Sequence, residues 1–193
     1  NDIMTIGAGG AASTATGIAG SVGVNVLTGN TTAKVDNGAK ITADKHVMIA
    51  AQSDDAVNDL VGLVKAGEAG VSAGVSVGVN TIAGSTEALV DGTDTQITAR
   101  GNGDAVKLSD KQADKKLLDS FLAKSNSINP VTYMQRSDSD YKGIAVSASS
   151  THNLQSQVLN NAAGTIANGG NLNVNTLAGA VTASVTGAAL DAG

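Results

Sequence analysis

The chain has 193 residues, of which 41% are hydrophobic, 15% charged and only 2% aromatic, and its formal net charge is −5. The apolar share is enough for a core, but one Phe, two Tyr and no Trp leave Val, Ile, Leu and Ala to fill it. The acidic balance argues against a nucleic-acid partner, and the absence of Cys excludes a disulfide framework and a thiolate metal site.

The chain begins Asn1-Asp2-Ile3, with neither an initiator Met nor a charged-then-apolar leader, so it reads as an excerpt of a longer protein. Ser, Thr, Asn and Gly interrupt every apolar run before the ~20 residues a spanning helix needs, so no transmembrane segment is expected. Gly7-Ala8-Gly9-Gly10-Ala11-Ala12 after an apolar stretch matches the form of a dinucleotide fingerprint. The Ser-Thr-Ala-Thr-Gly that follows is a poor helix, and no acid ends the next strand, so the glycines are expected at a turn.

Residues 21–36 then return as residues 76–91 with ten of sixteen positions identical, which places an internal repeat of about 55 residues in the chain. Asn1-Asp2-Ile3 answers Asn58-Asp59-Leu60, and Ile41-Thr42-Ala43 answers Ile97-Thr98-Ala99. Within the repeat Val22, Val24 and Val26 alternate with Gly23 and Asn25, a period of two that marks a strand. The two sets point to opposite faces, and an interior filled by Val, Ile, Leu and Ala is expected, with Asn and Gly at corners. Short strands are predicted near 31–36, 39–42 and 46–50, separated by turns at Asp36-Asn37-Gly38 and Asp91-Gly92. The stretch from Ser53 to Gly67 fits either a capped helix or a strand, and its counterpart Ile3–Gly7 favours the strand. A repeat of this length is expected to hold two coils of a solenoid and a loop.

The turns at Asp91-Gly92-Thr93-Asp94 and Gly101–Val106 alternate acid and Gly as calcium loops do. Each occurs once rather than in tandem, so they are expected to be plain corners and no metal site or cofactor is assigned. From Ser109 to Lys142 the repeat is interrupted by a segment holding all three aromatics, the only Pro and 11 of the 29 charges. Ser109 as N-cap, with Ala113, Leu117, Leu118, Phe121 and Leu122 on one stripe, predicts an amphipathic helix in its first half. If the insertion binds a ligand, Phe121, Tyr133, Arg136 and Tyr141 are the candidate contacts, because aromatic and Arg side chains supply contact area at low entropic cost. A third, more diverged copy is expected from Gly143 onward, with Ile144 and Val146 tracking Val75 and Val77. His46 and His152 sit in no ligand or triad spacing and are expected on exposed turns, so no catalytic residue is assigned.

Residues 19–35, with Gly38-Ala39-Lys40-Ile41-Thr42-Ala43 and Val47-Met48-Ile49-Ala50-Ala51, resemble the repeats of very large bacterial filamentous adhesins, the filamentous-haemagglutinin-like and leukotoxin-family adhesins. The resemblance implies a right-handed parallel β-helix exported through an outer-membrane pore and displayed on the cell surface, and it brings no catalytic residues.

The expectation is therefore an all-β solenoid over residues 1–108 and 143–193 with one partly helical insertion at 109–142. Its function would be structural and adhesive, its partners host-cell or bacterial surface glycans or proteins. Two alternatives stay open: a carbohydrate-active β-helix enzyme, and a trimeric autotransporter-type adhesin head. The first would need acids and aromatics along a groove, and the second a repeat near 14 residues.

Overall fold

The computed structural model describes residues 1–11, 16–65, 70–107, 140–161 and 166–193, and every regular element in them is a β-strand. In chain order these are β1 (Asp2–Ala11), β2 (Thr16–Val35), β3 (Lys40–Ala43), β4 (Val47–Lys65), β5 (Val71–Asp91) and β6 (Gln96–Ala99). They continue with β7 (Val106–Lys107), β8 (Asp140–Tyr141), β9 (Ile144–Asn161), β10 (Ile166–Thr186) and β11 (Ala189–Ala192). No helix among the described residues is long and apolar enough to cross a membrane. The amphipathic helix expected from Ser109 lies outside the described residues.

The strands pair as β1-β4-β9, β10-β5-β2 and β11-β6-β3, with β7 and β8 forming a separate antiparallel pair. Parallel pairing is explicit between β1 and β4 and on both sides of β6. It follows for β2 and β5 because Ser21 meets Ser76 and Asn25 meets Asn80, both at a separation of 55 residues. Each repeat thus contributes one strand to each of the three sheets, where the sequence suggested two coils. The strands are correspondingly longer: β2 runs 20 residues, and Ser53–Lys65 belongs to β4, in line with the strand reading.

The register corrects two of the sequence alignments. Ile41 does pair with Ile97, but Ile3 pairs with Val57 and Thr5 with Asp59, so the first copy begins three residues out of step with the sequence match. In the third copy the Val47 amide bonds to the Gly143 carbonyl and Asn80 meets Asn175. Ile144 therefore starts the β4-like strand rather than tracking Val75, and Leu172 and Val174 correspond to Val77 and Val79.

The chain forms two compact units. The second unit holds Asn30–Asp54, Ser85–Thr151 and Ala180–Gly193 and has the aliphatic core that composition predicts. Ile49, Ala51, Ala88, Val90 and Ile97 are buried there, with Val35, Ile41, Val47, Ile144 and Val146 packed around them. Its corners are built as the turn chemistry requires. Asn37 and Gly38 both take positive φ after Asp36, and Gly92 takes φ 103 after Asp91. A further corner is pinned by Asn102, whose amide donates to the Asp44 carboxylate at 3.0 Å.

The first unit holds Asn1–Gly29, Asp55–Gly84 and His152–Gly179. Here one wall is β1 with the ends of β4 and β9, and the other is the beginning of β2, β5 and β10. Alternation is strict along β2, and its phase is the reverse of the expectation. Ser21, Gly23 and Asn25 are buried, and Val22, Val24 and Val26 are exposed. β5 repeats this with Ser72, Ser76 and Asn80 buried and Val71 and Val75 exposed. Among the described residues of this unit, Val57, Val61 and Ile82 are the large apolar side chains fully inside.

Two features hold this phase. The walls stand so close that glycines are required: a Cβ on Gly9 would run into the Gly20 carbonyl oxygen, and one on Gly23 would come within 2.8 Å of Asp59 Oδ1. Inverting the register by one residue would put valines into that gap. The second feature is a column of side-chain hydrogen bonds along the stacked strands. Gly7 and Gly9 of the fingerprint-like stretch lie in strand β1, not at a turn.

Candidate functional site

The polar column fills the first unit. Asn25 donates to Asn80 at 2.7 Å, and Asn80 donates to both Asn175 and Asp59 at 3.1 Å. Ser21 donates to Ser76 at 3.0 Å, and Thr5 donates to Asn25. Asp59 is buried and accepts from Asn80 and from Ser156 on one oxygen, while its Oδ1 has no hydrogen-bond partner among the described residues. Stacked side-chain amides satisfy one another along the strands, so the column is a structural device.

His46 is half-buried at a corner of the second unit. The Gly143 amide donates to its Nδ1 at 3.0 Å, which leaves Nε2 carrying the proton and donating to the Asp104 carbonyl at 3.0 Å. The ring thus staples one repeat to the two that follow it. Tyr141 meets this ring edge-on with centroids 6.1 Å apart, and burial raises its phenol pKa above 10.0. Of the four candidate contacts read from the insertion, only Tyr141 lies in the described residues, where it pairs with Val106 across β7 and β8. Phe121, Tyr133 and Arg136 lie outside them.

His152 is on strand β9 rather than an exposed turn, with Nδ1 3.3 Å from Asp55 Oδ2 and both side chains largely covered. Its Nε2 faces Gly179, a position with no side chain to act as a nucleophile. The two acidic turns are corners: the Asp91 carbonyl accepts from Thr95 Oγ1 at 2.7 Å, and the Asp104 carbonyl is taken by His46. No group of three or more His, Cys, Asp or Glu among the described residues could hold a metal ion.

What remains is the outer face of the β10-β5-β2 wall in the first unit, which the reversed alternation creates. β2 presents Ile18, Val22, Val24 and Val26, β5 presents Val71, Val75, Val77 and Val79, and β10 presents Ile166, Leu172 and Val174. Val22, Val24 and Val26 are 60–66% exposed, Val75 56% and Leu172 55%. Contiguous exposed apolar surface is uncommon on soluble proteins and is found where a partner or ligand packs. The sequence carried the alternation that builds this face but not which half of it points outward. No protein-family model, no curated protein and no solved structure matches this chain.

Proposed function

We propose that this chain is a structural and adhesive segment of a secreted bacterial cell-surface adhesin, a right-handed parallel β-solenoid that serves as a rigid shaft. The observation that carries this reading is the stacking itself. Asn25, Asn80 and Asn175 stand in one column, and each repeat adds one strand to each of three sheets. Such stacking extends by adding repeats and gives a shaft its stiffness through backbone hydrogen bonds along its length. Right-handedness follows from the general rule for parallel crossovers. The filamentous-adhesin resemblance supports export through an outer-membrane pore and display outside the cell, with glycans or proteins of host or bacterial surfaces as partners.

The 109–142 insertion is the segment proposed to make contact, through Phe121, Tyr133, Arg136 and Tyr141. The test is binding of the purified chain, with and without residues 109–142, to host cells and to a glycan array. Loss of binding on deletion, with the β-rich circular dichroism retained, supports the adhesive role. Failure of both forms to bind leaves a shaft with no adhesive role, and cleavage of a polysaccharide substrate would replace the reading with an enzymatic one.

A further inference from the structure

We infer that the outer face of the β10-β5-β2 wall in the first unit packs against the same face of a second copy of this chain. The face has 21 outward positions, the even-numbered ones of 16–28 and 166–178 and the odd-numbered ones of 71–83. Fourteen of them are Ala, Val, Ile or Leu, the rest are Thr, Gly or Asn, and none is charged. Three strands ~4.8 Å apart and thirteen residues long at ~3.3 Å each cover roughly 600 Å² in projection. The accessible area of a corrugated surface is larger than its projection, which brings the face to the ~800 Å² per partner typical of a stable dimer.

The uncharged face offers an acidic or basic partner no charge to pair with. The chain carries a net −5, so two copies repel through most of their surface, and this face contributes nothing to that repulsion. Shape agrees. The 55- and 95-residue spacings set Val22, Val77 and Leu172 in one row, Val24, Val79 and Val174 in the next, and Gly20, Val75 and Gly170 beside them. Ridges of branched side chains next to a row opened by two glycines give a surface able to mesh with its own copy, as facing sheets do ~10 Å apart. A two-fold contact of this kind closes at two subunits. The inference concerns self-association and stands apart from whether the insertion binds a ligand.

Light scattering on the full chain tests it, with an expected mass of twice 18.9 kDa. Val77→Lys, on the central strand, is expected to return the mass to one chain with the β-rich circular dichroism unchanged. Val24→Lys on the outer strand provides the same reading should Val77→Lys unfold, and Thr42→Lys, on the exposed side of β3, is expected to leave the dimer intact. A monomeric parent chain with a native spectrum would overturn the inference. So would assemblies that keep growing with concentration and ignore Val77→Lys, because those grow from open strand edges. Co-flotation of a monomeric chain with phosphatidylcholine vesicles, abolished by Val77→Lys, would assign the face to lipid instead.

Discussion

Asn80, fully buried, links the levels on either side of it: its side-chain oxygen accepts from the Asn25 amide at 2.7 Å, and its own amide donates to Asn175 at 3.1 Å. It also donates to Asp59. One side chain therefore bonds three others, of which Asn25 and Asp59 are buried and Asn175 is exposed. Replacing Asn80 with Leu leaves the buried Asn25 amide without its acceptor and Asp59 with Ser156 as its one remaining donor, and a buried orphan costs about 1–3 kcal/mol before any relaxation. The expected loss is about 3 kcal/mol, read as a lower urea midpoint at unchanged slope. Asn25→Leu, in the outermost level, is expected to cost less, because its neighbours keep partners on the other side.

Asp59 gives a prediction of the opposite sign. Its carboxylate is 3% exposed, and one oxygen accepts from Asn80 and Ser156 while the other has no hydrogen-bond partner among the described residues. Asp59→Asn keeps an acceptor for both donors and removes a desolvated charge, so the folded state is expected to gain about 1 kcal/mol, read as a higher thermal midpoint. Asp59→Leu removes the acceptor and crowds Gly23 and Gly78, so it is expected to destabilise. A fall in stability for both variants would show that the charge itself holds the column.

The repeat, the strands and the corners were legible, and the orientation of the first unit was not, for one physical reason. A run such as Ser21-Val-Gly-Val-Asn-Val has the same period whichever set points inward, and hydrophobicity favours the valines. What decides is the spacing of the walls and the column through Asn25, Asn80 and Asn175, neither of which is local to the run. The same non-locality hid the length of the strands: strands of 20 residues are broken by no turn residue they could be counted by, and Gly29 inside β2 looks like a turn but continues the strand. The Asp36-Asn37-Gly38 corner, by contrast, follows from the residues alone, because Asn and Gly tolerate the left-handed conformation it needs.

Two glycines of one strand separate close packing from open space. A Cβ at Gly23 would strike Val61 and Asp59, and a Cβ at Gly29 would meet nothing within 4 Å. Gly23→Ala is expected to cost about 2 kcal/mol through overpacking between the walls. Gly29→Ala is expected to be neutral or slightly stabilising, because alanine restricts the unfolded chain more than glycine does. Equal effects from the two substitutions, measured by urea unfolding, would mean that the walls yield easily and that close approach does not hold the phase.

Tyr141 reports on the corner where β7, β8 and His46 meet. Burial disfavours its phenolate and raises its pKa above 10.0. A folded pKa above the unfolded one means the folded state holds the phenolic proton more tightly. The associated stability is fully present below the unfolded pKa and is lost as pH rises through the folded one. The chain has no Trp and only two Tyr, so in Tyr133→Phe the phenolate absorbance belongs to Tyr141 alone. Its alkaline titration is expected to have a midpoint above 10.0 while the chain is folded and to fall back to the ordinary tyrosine value in urea. His46→Ala, which removes the ring against Tyr141 and the acceptor for the Gly143 amide, is expected to move that midpoint toward the urea value. A midpoint unmoved by either urea or His46→Ala would show the phenol to be solvated and the corner open.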